Sequence, residues 1–258
     1  MIRIDSHAHL NNERFNEDRG DCIASLSKDG VVAVLECATE PKDIGEVIAL
    51  AETYPIIYAA VGIHPHDADG YNETQEEIIR AYLNHPKVVA VGEIGLDYHY
   101  DFTPREVQKD VLRRQLQLAV ETGMPVSLHS RESTADMMEI LREFPGLKGV
   151  MHCFSGSVET MWELMKMGLY IGFGGSLTFN GNQKTVAVAK EVPADRYLLE
   201  TDSPYLTPVP FRGKRNDPGY TRIVAEKLAQ IRNENADAVA GKAMENTLRL
   251  FPKMKIGE

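Results

Sequence analysis

The stretch "RIDSHAHL", residues 3–10, sets a carboxylate and two imidazoles at alternating positions: Asp5, His7 and His9. Residues two apart in an extended strand point to the same face, so these three side chains can converge on one point. That point is either a metal site or a polar strand end, and the stretch alone does not separate the two. Further donors of the same kind recur along the chain: His64 and His66 in "GIHPH", then Glu93, His129, His152 and Asp202. Neutral imidazole and carboxylate together suit Zn and other first-row divalent ions. The set His7, His9, Glu93, His129, His152 and Asp202 is large enough for two ions about 3.5–4 Å apart if one carboxylate bridges them.

Residues this far apart in sequence need a scaffold that brings strand ends together. Short apolar, β-branched runs recur at 2–5, 31–36, 56–62, 88–93, 125–129, 147–152, 168–173 and 196–201. Each is nearly continuous in apolar character, as expected of strands buried on both faces. Helical periodicity fills the intervals. Segment 103–121 opens with "TPRE", read as a Thr103 N-cap with Pro at N1 and Glu at N3, and stops at Gly123 and Pro125. Asn72 opens a similar helix, and "YTRIVAEKLAQI" and "ADAVAGKAMENTLRLF" supply two more. Eight strands alternating with helices predict an α/β fold of the (β/α)8 TIM-barrel type, with an open doubly wound sheet as the fallback. No linker or low-complexity tract divides the chain, so residues 1–258 are expected to form one domain. In a barrel, functional groups gather at the C-terminal ends of the strands. Six of the eight histidines lie within a few residues of such an end, and His85 and His99 are left to surface or loop roles.

Composition narrows the function classes. Hydrophobic residues make up 43% and charged residues 26%, the balance of a soluble protein with a sizeable core. No apolar run is long enough to span a membrane, and the N-terminus lacks the basic and apolar regions of a signal peptide. Cys22, Cys37 and Cys153 read as reduced, packed thiols, and the expected location is cytoplasmic. A net charge of −10 argues against broad binding of nucleic acid on a basic surface. It leaves room for a polyanion at one cleft whose field is reversed by bound cations.

The motifs "DSHAHL", "GIHPH", "GEIGLDY", "PVSLHSR", "HCFSG" and "ETDSPYL", in this order between residue 5 and about residue 216, together resemble the TatD-like family of metal-dependent deoxyribonucleases, within the amidohydrolase-type barrels. The resemblance implies that His7, His9, Glu93 and Asp202 hold one divalent ion, and that Glu93 bridges to a second held by His129 and His152. Asp5 would then orient an imidazole instead of ligating. The family pattern has Lys-Asn after "SLTF" where this chain has Asn180-Gly181, so no substrate contact is carried over to a lysine there.

The activity implied is phosphodiester hydrolysis by water activated between two cations of Zn, Mn or Mg type, with Mg alone least suited to so many nitrogens. Glu93, Asp202 and His64 are the expected catalytic residues: Asp202 as ligand and general base, His64 as a group polarising phosphate. Arg131, Lys214 and Arg215 are candidate phosphate contacts, joined by Arg212 around the cleft, and Phe154 is a candidate base-stacking ring. The expected substrate is DNA, engaged weakly and only at single-stranded or frayed ends. No membrane and no obligate protein partner are expected. Two alternatives stand beside this reading: hydrolysis of another ester or amide, such as an RNA-linked ester, and a catalytically silent metal-binding protein.

Overall fold

The computed structural model describes residues 1–256, so the last two residues of the expected domain lie outside the described residues. The strands are β1 (Arg3–Ala8), β2 (Val31–Cys37), β3 (Ile57–Val61), β4 (Val88–Asp97), β5 (Val126–Arg131), β6 (Gly149–Met151), β7 (Leu169–Phe173) and β8 (Tyr197–Leu199). The helices are α1 (Arg19–Leu26), α2 (Asp43–Thr53), α3 (Glu73–Tyr82), α4 (Arg105–Thr122), α5 (Thr134–Arg142), α6 (Val158–Lys166), α7 (Gln183–Glu191), α8 (Thr221–Arg232) and α9 (Ala236–Leu250). All eight strands pair in chain order in one sheet, and each consecutive pair is parallel. The expected (β/α)8 barrel is the architecture found. No described helix is long and apolar enough to cross a membrane.

The ring closes between β1 and the segment after β8, and it closes sparsely. One bridge joins Ala8 to Ser203, flanked by the His9 N–H to the Ser203 carbonyl at 2.8 Å and the Asp202 N–H to the His7 carbonyl at 3.0 Å. The Asp5 carboxylate reinforces this seam, accepting from the Thr201 N–H at 3.0 Å and the Thr201 hydroxyl at 2.5 Å.

Strand alternation divides the core. Ile4, Ala33, Leu35, Cys37, Ala60 and Leu198 form an inner cluster, whereas Val34 and Ile57 join the layer between sheet and helices. Phe251 and Met254, beyond α9, belong to the inner cluster, and the Tyr58 hydroxyl donates to the Lys255 carbonyl at 2.7 Å. The segment 251–255 therefore packs at the N-terminal end of the barrel and leaves the opposite mouth open to loops.

Two differences from the sequence expectation bear on the site. The β4 strand does not stop at Glu93. It runs on to Asp97, pairing Gly95 with His129 and Asp97 with Arg131. Gly95 makes this possible: at φ 156° it lies so close to β5 that a Cβ would sit 1.9 Å from the His129 carbonyl oxygen. Thr103 does not cap α4 either. Its hydroxyl donates to the His66 carbonyl at 2.9 Å, and the helix begins after Pro104 with no side-chain cap.

The inward face of α4 carries two buried glutamines seven residues apart, a spacing that keeps both on one side of the helix. Gln115 accepts from the Ile63 N–H at 2.8 Å and donates to the Ile63 carbonyl at 2.9 Å. Gln108 accepts from the Asp97 N–H at 2.9 Å and donates to the Asp97 carbonyl at 3.1 Å. One helix thus fixes the backbone beside His64 and at Asp97. Replacing Gln115 with Leu orphans a buried N–H and a buried carbonyl, and we expect a loss of about 2–4 kcal/mol. Urea denaturation measures it; an unchanged midpoint would show that water satisfies both groups.

Candidate metal centre at the barrel mouth

Glu93, 3% exposed, stands at the middle of the mouth with its two oxygens facing opposite ways. Oε2 lies 3.2 Å from His7 Nε2 and 3.4 Å from His9 Nε2. Oε1 lies 2.9 Å from His129 Nδ1, 2.8 Å from His152 Nε2 and 3.8 Å from His64 Nε2. Asp202 approaches His9 Nε2 at 3.4 Å. Its φ is 58°, a left-handed conformation that aspartate tolerates better than most residues. Among the described residues, four donor triplets lie within ligating reach: His7–His9–Asp202, His7–Glu93–His152, His64–Glu93–His129 and His152–Cys153–Glu200. The strand-end positions picked out in the sequence meet at this point.

The outer ring nitrogens are tied down from behind. His9 Nδ1 donates to the Cys37 carbonyl at 2.9 Å, leaving its Nε2 facing the centre. His129 Nε2 lies 3.1 Å from the Asp97 carboxylate, so its Nδ1 faces Glu93. His7 Nδ1 lies 3.0 Å from the Ser127 hydroxyl. This is the outer-partner pattern of metal-binding imidazoles. His152 is the exception. Its Nδ1 is buried without a hydrogen-bond partner, 3.8 Å from Glu200 Oε1, and Glu200 Oε2 is likewise unpartnered.

The inner nitrogens make the case for a cation. His7 Nε2 and His9 Nε2 are 3.2 Å apart, and His129 Nδ1 and His152 Nε2 are 3.3 Å apart. Inner lone pairs this close repel one another unless a proton or a metal ion accepts them. The acid–base balance of the cluster follows. Burial alone would raise the Glu93 carboxyl, but His152, His7 and His64 hold it well below the usual range. Burial likewise opposes charge on His9 and His129, yet Asp202 and Glu93 lift His9 to about 10, and Asp97 and Glu93 lift His129 to about 9. His7, buried and beside His152, falls to about 4. Protons here hold places that divalent cations can take, and the donor set fits such ions.

The remaining sequence candidates fare differently. His64 accepts the His66 N–H at its Nδ1, 3.2 Å away. Burial drives its pKa well below the ordinary histidine value, so the neutral ring presents Nε2–H to the centre. Arg131 is exposed, its guanidinium 4.8 Å from the Tyr100 ring centroid. Arg215 is not free for phosphate. It forms a bidentate pair with Asp18 at 2.6 and 2.7 Å and lies over Phe15, because the 208–216 loop folds back onto the loop after β1. Phe154 does not offer a ring face to a base. It is 4% exposed, packed beneath Gly156 and lining a small cavity with Met138 and Met151. Lys214 makes no ion pair among the described residues, and Arg212 lies over Phe179 at 3.9 Å. Asp5 touches no imidazole ring; its carboxylate serves Thr201 and the His7 N–H.

Asp97, Ser127 and Glu200 are the site residues that the sequence reading passes over. Asp97 and Glu200 carry a signal in retrospect, since each shares strand alternation with a recognised donor, Glu93 and Asp202 respectively.

The eight-stranded parallel barrel and its ring of imidazoles and carboxylates define the class: a barrel hydrolase with a candidate metal centre at the C-terminal mouth. Residues 4–252 match the model of the TatD related DNase family, and the chain belongs to that family. It is 43% identical over 250 residues to the uncharacterized metal-dependent hydrolase YabD of Bacillus subtilis, covering 96% of this chain and 98% of the relative. It is 33% identical over 258 residues to a protein of Edwardsiella piscicida named 3'-5' ssDNA/RNA exonuclease TatD, covering 96% and 98%. The crystal structure of YjjV, a TatD homologue from Escherichia coli K12, superposes with a TM-score of 0.91 at 35% identity, covering 97% of this chain and 98% of the other.

Titrating Mn or Zn into metal-free protein should raise the thermal midpoint, by a stabilisation of about 2.7 kcal/mol at a hundredfold excess over Kd. Glu93→Gln should remove most of that rise. An undiminished rise in the variant would place the ion elsewhere.

Proposed function

We propose that this chain is a metal-dependent phosphodiesterase that removes nucleotides from the ends of single-stranded nucleic acid, with residues 1–258 acting as one catalytic domain. The observation that carries the reading is Glu93, whose two oxygens each face a different pair of imidazoles. In this reading His7, His9, Asp202 and Glu93 would hold one divalent ion, and Glu93, His129 and His152 would hold a second. Zn or Mn suits these nitrogen-rich donors better than Mg alone. Ions bound there would acidify a water and neutralise charge developing on the phosphoryl oxygens.

The chain's own groups do the rest. Asp202 is held below the ordinary carboxylate range; burial opposes this, but the His9 hydrogen bond and His152 outweigh it. It is therefore ionised at neutral pH and can take the proton of the attacking water at its carboxylate. Its side chain is 14% exposed, against 4% for Glu93, so water reaches it more readily. His64 can donate from Nε2 to a non-bridging phosphoryl oxygen. Asp97 and the Cys37 carbonyl keep His129 and His9 from rotating out of place.

Depth supports attack at ends. His7 is fully buried and Glu93 nearly so, below the rim formed by the loops. Groups this deeply buried suit a strand terminus better than the middle of a duplex. The net charge of −10 points the same way, since it disfavours broad adsorption to DNA. The family description and the activity named for the Edwardsiella relative support nucleic acid as the substrate class, with DNA and RNA both admissible.

The test is release of mononucleotides from an end-labelled single-stranded oligonucleotide. Chelation should abolish it, and Mn or Zn should restore it. Glu93→Gln and Asp202→Asn should each cost at least about a hundredfold in kcat. Full activity in either variant would overturn the assignment.

A further inference from the structure

The loop between β4 and α4 presents the most exposed aromatic surface near the mouth. Tyr100 is 50% exposed and Phe102 68% exposed. Their rings stack with centroids 5.3 Å apart and planes 16° from parallel. His66 meets both edgewise, at 5.4 Å and 4.9 Å, and the Arg131 guanidinium lies 4.8 Å from the Tyr100 centroid. The cluster is registered to the centre through one carboxylate. Asp97 Oδ2 contacts His129 and His66, each at 3.1 Å, while Oδ1 accepts the N–H groups of His99 and Tyr100 at 2.9 and 3.0 Å. The ring of His64 lies between, 4.5 Å from that of His129 and 4.3 Å from that of His66.

The other side of the mouth is chemically opposite. A groove of about 1040 Å³ opens at His9 and Tyr205 and runs between the loop after β1 and α2. Carboxylates line it, including Glu13, Glu17, Glu40 and Glu46, and its cations are already engaged. Arg19 donates to the Leu10 carbonyl at 2.6 Å, and Lys42 pairs with Glu40 at 2.7 Å. This groove therefore repels a phosphate backbone.

We infer that Tyr100 and Phe102 form a base-stacking platform for single-stranded nucleic acid, with Arg131 meeting its phosphate, so that the strand leaves the centre over β4 and β5 and not along the acidic groove. The occupant follows from continuity with the centre, from the Arg131 guanidinium beside the rings, and from the sequence-tolerant stacking that exposed aromatic pairs provide. This inference rests on the phosphodiesterase reading and adds a substrate subsite to it.

The test compares wild type with Tyr100→Ala and Phe102→Ala on a short single-stranded oligonucleotide and on bis(p-nitrophenyl) phosphate, which reaches the centre alone. On the oligonucleotide, KM should rise about fivefold to a hundredfold per ring removed, with kcat little changed. Rates on the small diester should stay the same, and Phe102→Tyr should restore the oligonucleotide KM. An oligonucleotide made abasic next to its cleavable end should bind wild type and the alanine variants alike. Equal KM values on the intact oligonucleotide overturn the platform and leave the phosphodiesterase reading standing. A dimer that the alanine variants dissolve overturns it in favour of a second copy of this chain. Failure of wild type to cleave the oligonucleotide, with the small diester still hydrolysed, overturns both readings of nucleic acid.

Discussion

A carboxylate taken almost wholly out of water and surrounded by imidazoles is the constraint that organises the mouth. An isolated buried charge is too costly to keep, so Glu93 is stable there only among groups that carry or recruit positive charge. The inner nitrogens of His7, His9, His129 and His152 meet that need at 2.8–3.4 Å. Three of these rings, His9, His129 and His7, are held from behind, and the holding atoms come from other strands: Cys37 on β2, Asp97 on β4 and Ser127 on β5. The electrostatics of one residue thereby require a closed barrel in correct register.

How much of this is legible in the sequence depends on range. Alternation within a strand picks out His7 with His9, and strand-end placement picks out Glu93, His129, His152 and Asp202, because these signals are local. Partners across strands are set by register, which no single segment encodes. Alternation points Asp5 at an imidazole, and register delivers it to Thr201. The reach of β4 to Asp97 depends on how closely Gly95 can approach β5, so a strand read as ending at Glu93 hides the carboxylate that contacts His129. Gln108 and Gln115 read as polar interruptions of an apolar helix face, since their partners are backbone groups of distant loops. Exposure is the other blind spot. Phe154 and Arg215 have suitable chemistry but are committed to packing and to Asp18, while Tyr100 and Phe102 look like ordinary loop residues.

The mouth is also uneven in a way that net charge conceals. Acidic groups crowd the side next to α2, and the rings with Arg131 occupy the side next to β5. A chain with net charge −10 can hold a polyanion if the favourable field is confined to a narrow sector. Such an arrangement selects by approach direction instead of by overall attraction.

The sparse seam between β1 and the segment after β8 bears on when the proposed centre can assemble. Asp202 follows His7 by 195 residues, and the Thr201 that fastens Asp5 follows it by 196. Half of the proposed centre therefore does not exist until the last strand has docked. Without that docking His9 lacks the carboxylate that faces it at 3.4 Å, so the proposed centre and the closure of the ring are one event.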